Sequence, residues 1–245
     1  MNYFSFGSGK KTFVIIPGLS VQSILLFKDI IKSSYEIFSE DFTVYVLDRK
    51  ENIPADYSIH EMAEDTAQVM KNLNLHDAHI FGASQGGMIA MEIAINHPEL
   101  VRSMVLGSTA ATPETSVVDK WIKLAESGST LSLYQSFGED LYNQKLEESA
   151  VLEAAKTVTK EELHRFVILA KAIRGFNILT ELNKIKCPVL VIGSKEDKVL
   201  GSEASIQISK NIPNCELFMY DGYGHAAYDT APDYRERMKQ FFEGH

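Results

Sequence analysis

Cysteine is scarce in this chain of 245 residues: only Cys187 and Cys215 occur. They lack C-x-x-C spacing and have no histidine partner that would suggest a metal site, so no metal is expected and a reducing compartment is the simplest reading. Basic residues are outnumbered, with 24 Lys+Arg against 33 Asp+Glu and a formal net charge of −9. Phosphate binding needs a basic face, so nucleic acid is not expected as a partner. No apolar run approaches the ~20 residues that span a bilayer. The opening MNYFSFGSGKK lacks a charged segment followed by an apolar one, so no secretory leader is expected. Low-complexity tracts, internal repeats and long blocks of like charge are also missing. The expectation is a cytoplasmic protein with no membrane association.

What remains is an ordinary globular composition, 45% hydrophobic and 23% charged, long enough to bury a sizeable core. One large α/β domain, or one domain carrying an insertion, fits the length. Tyr3 to Phe6 and Thr12 to Ile16, joined by Gly7-Ser8-Gly9, read as a hairpin. After Pro17-Gly18-Leu19-Ser20, Val21 to Ile37 looks helical, and Phe42 to Leu47 is a strand ending at Asp48. From Ser58 to Leu73 the apolar positions Ile59, Met62, Ala63, Thr66, Val69, Met70 and Leu73 keep helical spacing. Val101 to Leu106 is a further strand. Strand and helix alternating through short connections predict a mostly parallel sheet with helices on both faces. In such sheets the site collects at the carboxyl ends of the strands, where Gly18-Leu19, Asp48 and Ser84 all fall.

From about Thr112 to Leu182 no strand is evident. Helical stretches over Val117–Glu126, Leu131–Glu148 and Lys160–Gly175 are expected, with Trp121, Tyr134 and Phe137 among their apolar residues. An insertion at this point reads as a lid over a pocket. The division is then 1–111 as the first part of the core, 112–182 as the helical cap, and 183–245 as the second part of the core. Alternation resumes with a strand at Pro188–Ile192, a helix over Gly201–Asn211, a strand at Glu216–Tyr220 and a closing helix over Asp233–Glu243.

The most informative stretch is Ala78 to Met91, AHIFGASQGGMIAM. It places Gly82-Ala83-Ser84-Gln85-Gly86 between a short strand and an apolar helix, the setting of a G-x-S-x-G nucleophile elbow. A serine in so tight a turn projects its hydroxyl from the sheet. The helix that starts there aims free N–H groups at the space above it. Among seven histidines, His225 alone lies in a glycine-containing loop just past a strand. His76 and His79 sit at the wrong end of the elbow strand, His97 at a helix C-terminus, and His60 and His164 on helical faces. The loop after Ile192 offers Glu196 and Asp197 as the acid. Asp197 reads better, standing just before Lys198-Val199, and leaves Glu196 as a solvated neighbour. Ser84, Asp197, His225 is then the chain order of an α/β-hydrolase triad.

Four segments carry a wider likeness: YSIHEMAEDTAQVMKNLNL, HIFGASQGGMIAMEIAINHPELVRSMVLGS, CPVLVIGSKED and YGHAAYDTAPDYRERMKQFF. Through them the chain resembles the α/β-hydrolase superfamily, in the small lidded branch of esterases, enol-lactonases and carbon–carbon bond hydrolases. The resemblance implies an α/β-hydrolase fold with a helical lid inserted after the sixth strand. It implies Ser84 as nucleophile, Asp197 as acid and His225 as base, with the backbone N–H groups of Leu19 and Gln85 as the oxyanion hole, and no cofactor. Two departures stand out. Pro17-Gly18 replaces the family's usual His-Gly, and Asp48-Arg-Lys-Glu-Asn52 replaces a glycine-rich loop, both expected to alter the pocket wall. The expected activity is hydrolysis of a small-molecule ester, lactone or thioester. An acyltransferase, a lyase or a carbon–carbon hydrolase using the same triad, and a non-catalytic small-molecule binder on the same scaffold, are the alternatives.

Overall fold

The inner strands are mostly apolar and almost wholly buried, as parallel strands covered on both faces are. In a computed structural model that describes all 245 residues, every residue of Ala78–Ala83 and of Val189–Ser194 is buried. Seven strands form one sheet: β1 (Tyr3–Phe6), β2 (Lys11–Ile16), β3 (Phe42–Leu47), β4 (Ala78–Ala83), β5 (Val101–Gly107), β6 (Val189–Ser194) and β7 (Cys215–Tyr220). Their order is β1-β3-β2-β4-β5-β6-β7. All neighbours are parallel except β1, which runs antiparallel to β3. The expected hairpin of the first two strands is therefore corrected: β3 lies between them. Gly7, at φ +83°, and Gly9 let the connecting loop press on the start of β3, where a Cβ on either would overlap the backbone of Asp41 or Phe42.

The helices are α1 (Lys28–Ser34), α2 (Ile59–Asn72), α3 (Gln85–Asn96), α4 (Ser116–Glu126), α5 (Thr130–Leu141), α6 (Glu148–Thr157), α7 (Lys160–Lys171), α8 (Ser202–Asn211), α9 (Ala227–Thr230) and α10 (Tyr234–Glu243). α2 starts at a capping box in which Ser58 and Glu61 satisfy each other's backbone N–H, a pairing readable in the S-x-x-E spacing. On one face of the sheet, buried side chains of α2 and α3 form a core that continues into α4, α5 and α7. A second, aromatic core around Phe13, Phe38, Phe81 and Phe242 fills the opposite face beneath α10.

Four helices, α4 to α7, occupy the insertion between β5 and β6. It follows the fifth strand of this chain rather than the sixth, because the sheet has seven strands and only five precede it. The single helix expected over Leu131–Glu148 is broken. Asn143 takes a left-handed φ of +56°, which a helix interior does not tolerate, and its amide donates to the Glu196 carbonyl at 3.0 Å. The chain then restarts as α6. The helix expected over Val21–Ile37 is likewise divided, into a 3₁₀ turn (Ile24–Phe27), α1 and a second 3₁₀ turn (Glu36–Phe38). No helix is long and apolar enough to cross a membrane, and Cys187 and Cys215 are both free.

Candidate active site

The centre of the site is the turn between β4 and α3. Ser84 sits at φ 51°, ψ −120°, a conformation that costs a non-glycine residue roughly 1–3 kcal/mol and persists only where the surroundings enforce it. They do so here. The Ser84 N–H donates to the Gly107 carbonyl at 2.8 Å, and its carbonyl accepts from Thr109 Oγ1 at 2.7 Å. A Cβ on Gly82 would come within 2.6 Å of the Gly86 carbonyl, and one on Gly86 would overlap the carbonyl oxygens of Ile16 and Pro17. The spacing of these two glycines is thus a requirement for closing the turn. Ser84 occupies the N-cap of α3 yet makes no side-chain cap bond, so its hydroxyl is left for another partner.

That partner is His225. Its Nε2 stands 2.9 Å from Ser84 Oγ, and its Nδ1 stands 2.9 Å from Asp197 Oδ2. The three side chains come from loops after β4, β6 and β7, gathered at the carboxyl edge of the sheet. His225 and Asp197 side chains are 1% and 3% exposed. Burial alone would raise the Asp197 carboxyl. The His225 contact and the Val199 and Leu200 amides, which donate to Oδ1 at 2.8 and 3.0 Å, overcome that and hold it below its ordinary value. Glu196 turns the other way and accepts from the Gly222 amide at 2.8 Å, so of the two acids it is Asp197 that reaches His225. The other histidines lie elsewhere. His79 bonds Ser103 at the amino end of β4, His60 pairs with Glu92 and His97 with Glu64.

Gly18 passes directly over the serine, and a Cβ there would lie 3.3 Å from Ser84 Cβ. The backbone N–H groups of the following Leu19 and of Gln85 donate to no acceptor within the protein. Two free amides beside a hydrogen-bonded serine are what a developing oxyanion needs. The loop at Asp48 shapes this arrangement from behind. Asp48 accepts from Ser23 Oγ at 2.5 Å and from the Arg49 amide at 2.7 Å. Arg49 Nη2 donates to the Pro17 carbonyl at 2.5 Å. Burial draws the Arg49 guanidinium down to about 10, with Asp48 opposing, so it stays charged at neutral pH. Asp48 and Arg49 thus brace the Pro17–Gly18 turn, which lines the larger cavity, while none of residues 48–52 lines the cavity at Ser84.

Two neighbouring cavities lie beside this turn. One of about 190 Å³ is lined by Ser84, by Leu19 and by the insertion aromatics Trp121, Tyr134, Phe137 and Phe166. No carboxylate lines it. The other, of about 480 Å³, runs from Gly18 and Ala83 towards α1 and α10. Leu19, Ser20, Phe27, Leu141 and Tyr228 border both. Sequence reasoning missed one contact that ties the insertion to the elbow: the buried Gln85 side chain donates to the Leu169 carbonyl of α7 at 2.6 Å. The only signal was a polar residue inside an otherwise apolar helix start.

Comparison with known proteins agrees with this layout. A family model described as "Serine aminopeptidase, S33" matches residues 36–229, a span that contains Ser84, Asp197 and His225. RutD of Agrobacterium fabrum (strain C58), whose name proposes carbamate hydrolysis, is 27% identical over 228 residues, covering 84% of this chain and 85% of that protein. Among solved structures, the α/β hydrolase MGS-M2 from a Medee basin deep-sea metagenome library superposes with a TM-score of 0.85 at 21% identity, over 99% of this chain and 94% of that one. The enol-lactonase of Burkholderia xenovorans LB400 gives 0.84 at 17% identity, over 99% and 96%. Both share the fold.

Proposed function

Because the chain belongs to the serine aminopeptidase S33 family of the α/β-hydrolase superfamily, we propose that it is a serine hydrolase working through an acyl-enzyme on Ser84. Its substrate is a small to medium, largely apolar ester, lactone or thioester. The observation that carries this reading is the unbroken chain Ser84–His225–Asp197, with both links at 2.9 Å, beside two unpaired amides. With Nδ1–H donated to Asp197, His225 presents the Nε2 lone pair to the serine hydroxyl and takes its proton as Oγ attacks. The tetrahedral oxyanion is received by the N–H groups of Leu19 and Gln85, each worth about 3–4 kcal/mol in serine hydrolases. His225 then returns the proton to the leaving group, and water repeats the sequence to free the acid.

The α4, α5 and α7 aromatics over Ser84 act as the lid and cover the part of the substrate next to the scissile carbonyl. A p-nitrophenyl ester series, with a lactone, a thioester and a carbamate added, tests the reading. Turnover that vanishes in Ser84→Ala with the fold retained supports it; equal turnover in that variant overturns it. Adding an alcohol or thiol acceptor and analysing products separates hydrolysis from acyl transfer.

A further inference from the structure

The larger of the two cavities is not needed for the chemistry, and its far end has a distinctive composition. Its walls are Ile15, Val46 and Phe81 from the sheet and Ile30, Ile31 and Tyr35 from α1 and the turn after it. At about 480 Å³ it falls in the range of small-molecule pockets, roughly 300–1,000 Å³, whereas the cavity at Ser84, at about 190 Å³, does not. The bulk of a substrate therefore belongs in the larger one.

Arg235, on the first turn of α10, is the one cationic side chain that lines either cavity. Its guanidinium lies 5.0 Å over the Tyr35 ring. It forms no ion pair with any carboxylate of the chain, and its Nε is buried without a hydrogen-bond partner. Asp229 lines the same cavity, but its carboxylate already has a donor, the Tyr142 hydroxyl at 3.4 Å. The Arg235 charge acts on the Asp229 carboxylate across the cavity without an ion-pair contact, which leaves the guanidinium fork open. Arg235 is only half-buried, so its outer guanidinium nitrogens remain open to a ligand, and a carboxylate matches that fork in two parallel hydrogen bonds.

We propose that this cavity is a tail subsite in which Arg235 receives a carboxylate carried at the far end of an apolar chain, the scissile carbonyl of the same substrate lying over Ser84. The substrate class is then a half-ester, lactone or thioester of an ω-carboxylated aliphatic acid or alcohol. This rests on the serine-hydrolase reading and adds its substrate class.

The test compares the mono-p-nitrophenyl ester of octanedioic acid with its methyl-capped and ω-amino counterparts, and acetyl-6-hydroxyhexanoate with its methyl ester for a tail on the alcohol side. In the wild type at least one carboxylate-tailed probe is expected to exceed its capped partner in kcat/KM. In Arg235→Met that ratio is expected to fall about 10- to 100-fold, the worth of a charge-assisted hydrogen bond, with partial recovery in Arg235→Lys. Ser34→Trp, which fills the cavity from α1, should lower turnover of every long-tailed probe relative to p-nitrophenyl acetate. A ratio that Arg235→Met leaves unchanged, or a preference for the ω-amino probe, overturns the proposal. Calorimetric titration of octanedioate into Ser84→Ala keeps the two readings apart. Binding lost in Ser84→Ala/Arg235→Met supports the subsite even if no ester is turned over, and binding that Arg235→Met does not weaken counts against it.

Discussion

Replacing Asp197 with asparagine reverses a single hydrogen bond, and the structure dictates which one. Asp197 Oδ1 accepts from the Val199 and Leu200 amides at 2.8 and 3.0 Å, while Oδ2 meets His225 Nδ1 at 2.9 Å. In Asp197→Asn one of these atoms becomes an NH₂. Turning the NH₂ towards the two amides sets donors against donors and forfeits two hydrogen bonds, each worth about 1 kcal/mol, besides leaving buried N–H groups unpaired at about 1–3 kcal/mol each. The asparagine oxygen therefore stays on the amides and its NH₂ faces His225. Nδ1 must then accept, the ring proton moves to Nε2, and the imidazole donates to Ser84 Oγ where it should receive. The equivalent exchange in serine proteases lowers kcat by about 10⁴, or some 5 kcal/mol of barrier. The same loss is expected here in steady-state hydrolysis of a p-nitrophenyl ester, with the circular dichroism spectrum and denaturation midpoint close to wild type. An Asp197→Asn enzyme within tenfold of the wild-type kcat would refute the assignment of Asp197 as the group that sets the His225 tautomer.

Three further outcomes follow from named contacts. Gly86→Ala drives a methyl into the Ile16 and Pro17 carbonyls; it should cost about 2–3 kcal/mol in urea denaturation and displace the Leu19 amide, cutting kcat at least 100-fold, and an unchanged stability would contradict the close approach. Asp140 accepts from Trp121 Nε1 at 2.8 Å and Ser136 Oγ at 2.6 Å and pairs with Lys120; Asp140→Ala should destabilise by about 2–3 kcal/mol and shift the Trp121 fluorescence maximum, since the indole N–H loses a charged acceptor. His79, 1% exposed and set between the Phe42 and Phe242 rings, is pushed down to about 4 from 6.5 by burial, with Arg102 and Lys11 adding to it. The unfolded chain binds the proton first, so stability is full above pH 6.5 and is lost as pH falls towards 4, by roughly 2–3 kcal/mol. Thermal melts between pH 7 and 4 should show a shallower loss in His79→Gln; parallel curves would count against a neutral buried ring.

The meeting of the candidate site's side chains was more legible than the topology. Ser84 and its flanking glycines announce themselves because a strained turn tolerates so few residue types, and His225 and Asp197 follow from the positions of loops after strands. The first half of α2 was equally plain, its capping box and apolar spacing both being local. By contrast, the partner of β1 depends on how Gly7 and Gly9 lie against residues 41 and 42, a long-range fit that alternating hydrophobicity cannot express. The break after α5 likewise depends on Asn143 reaching Glu196, over 50 positions away. In the sequence Arg49 is one charge among several in a polar loop; its role in holding the Pro17 carbonyl emerges only when β2 and β3 are placed side by side. The same holds for Gln85, whose side chain finds its partner in α7.

The central claim, a covalent acyl intermediate on Ser84, is tested most directly by intact-protein and peptide mass spectrometry after exposure to a fluorophosphonate. One adduct per chain is expected, on the peptide containing Ser84, absent from Ser84→Ala and greatly slowed in His225→Ala. A folded wild-type protein that takes up no label, or takes it on a residue other than Ser84, would contradict the account.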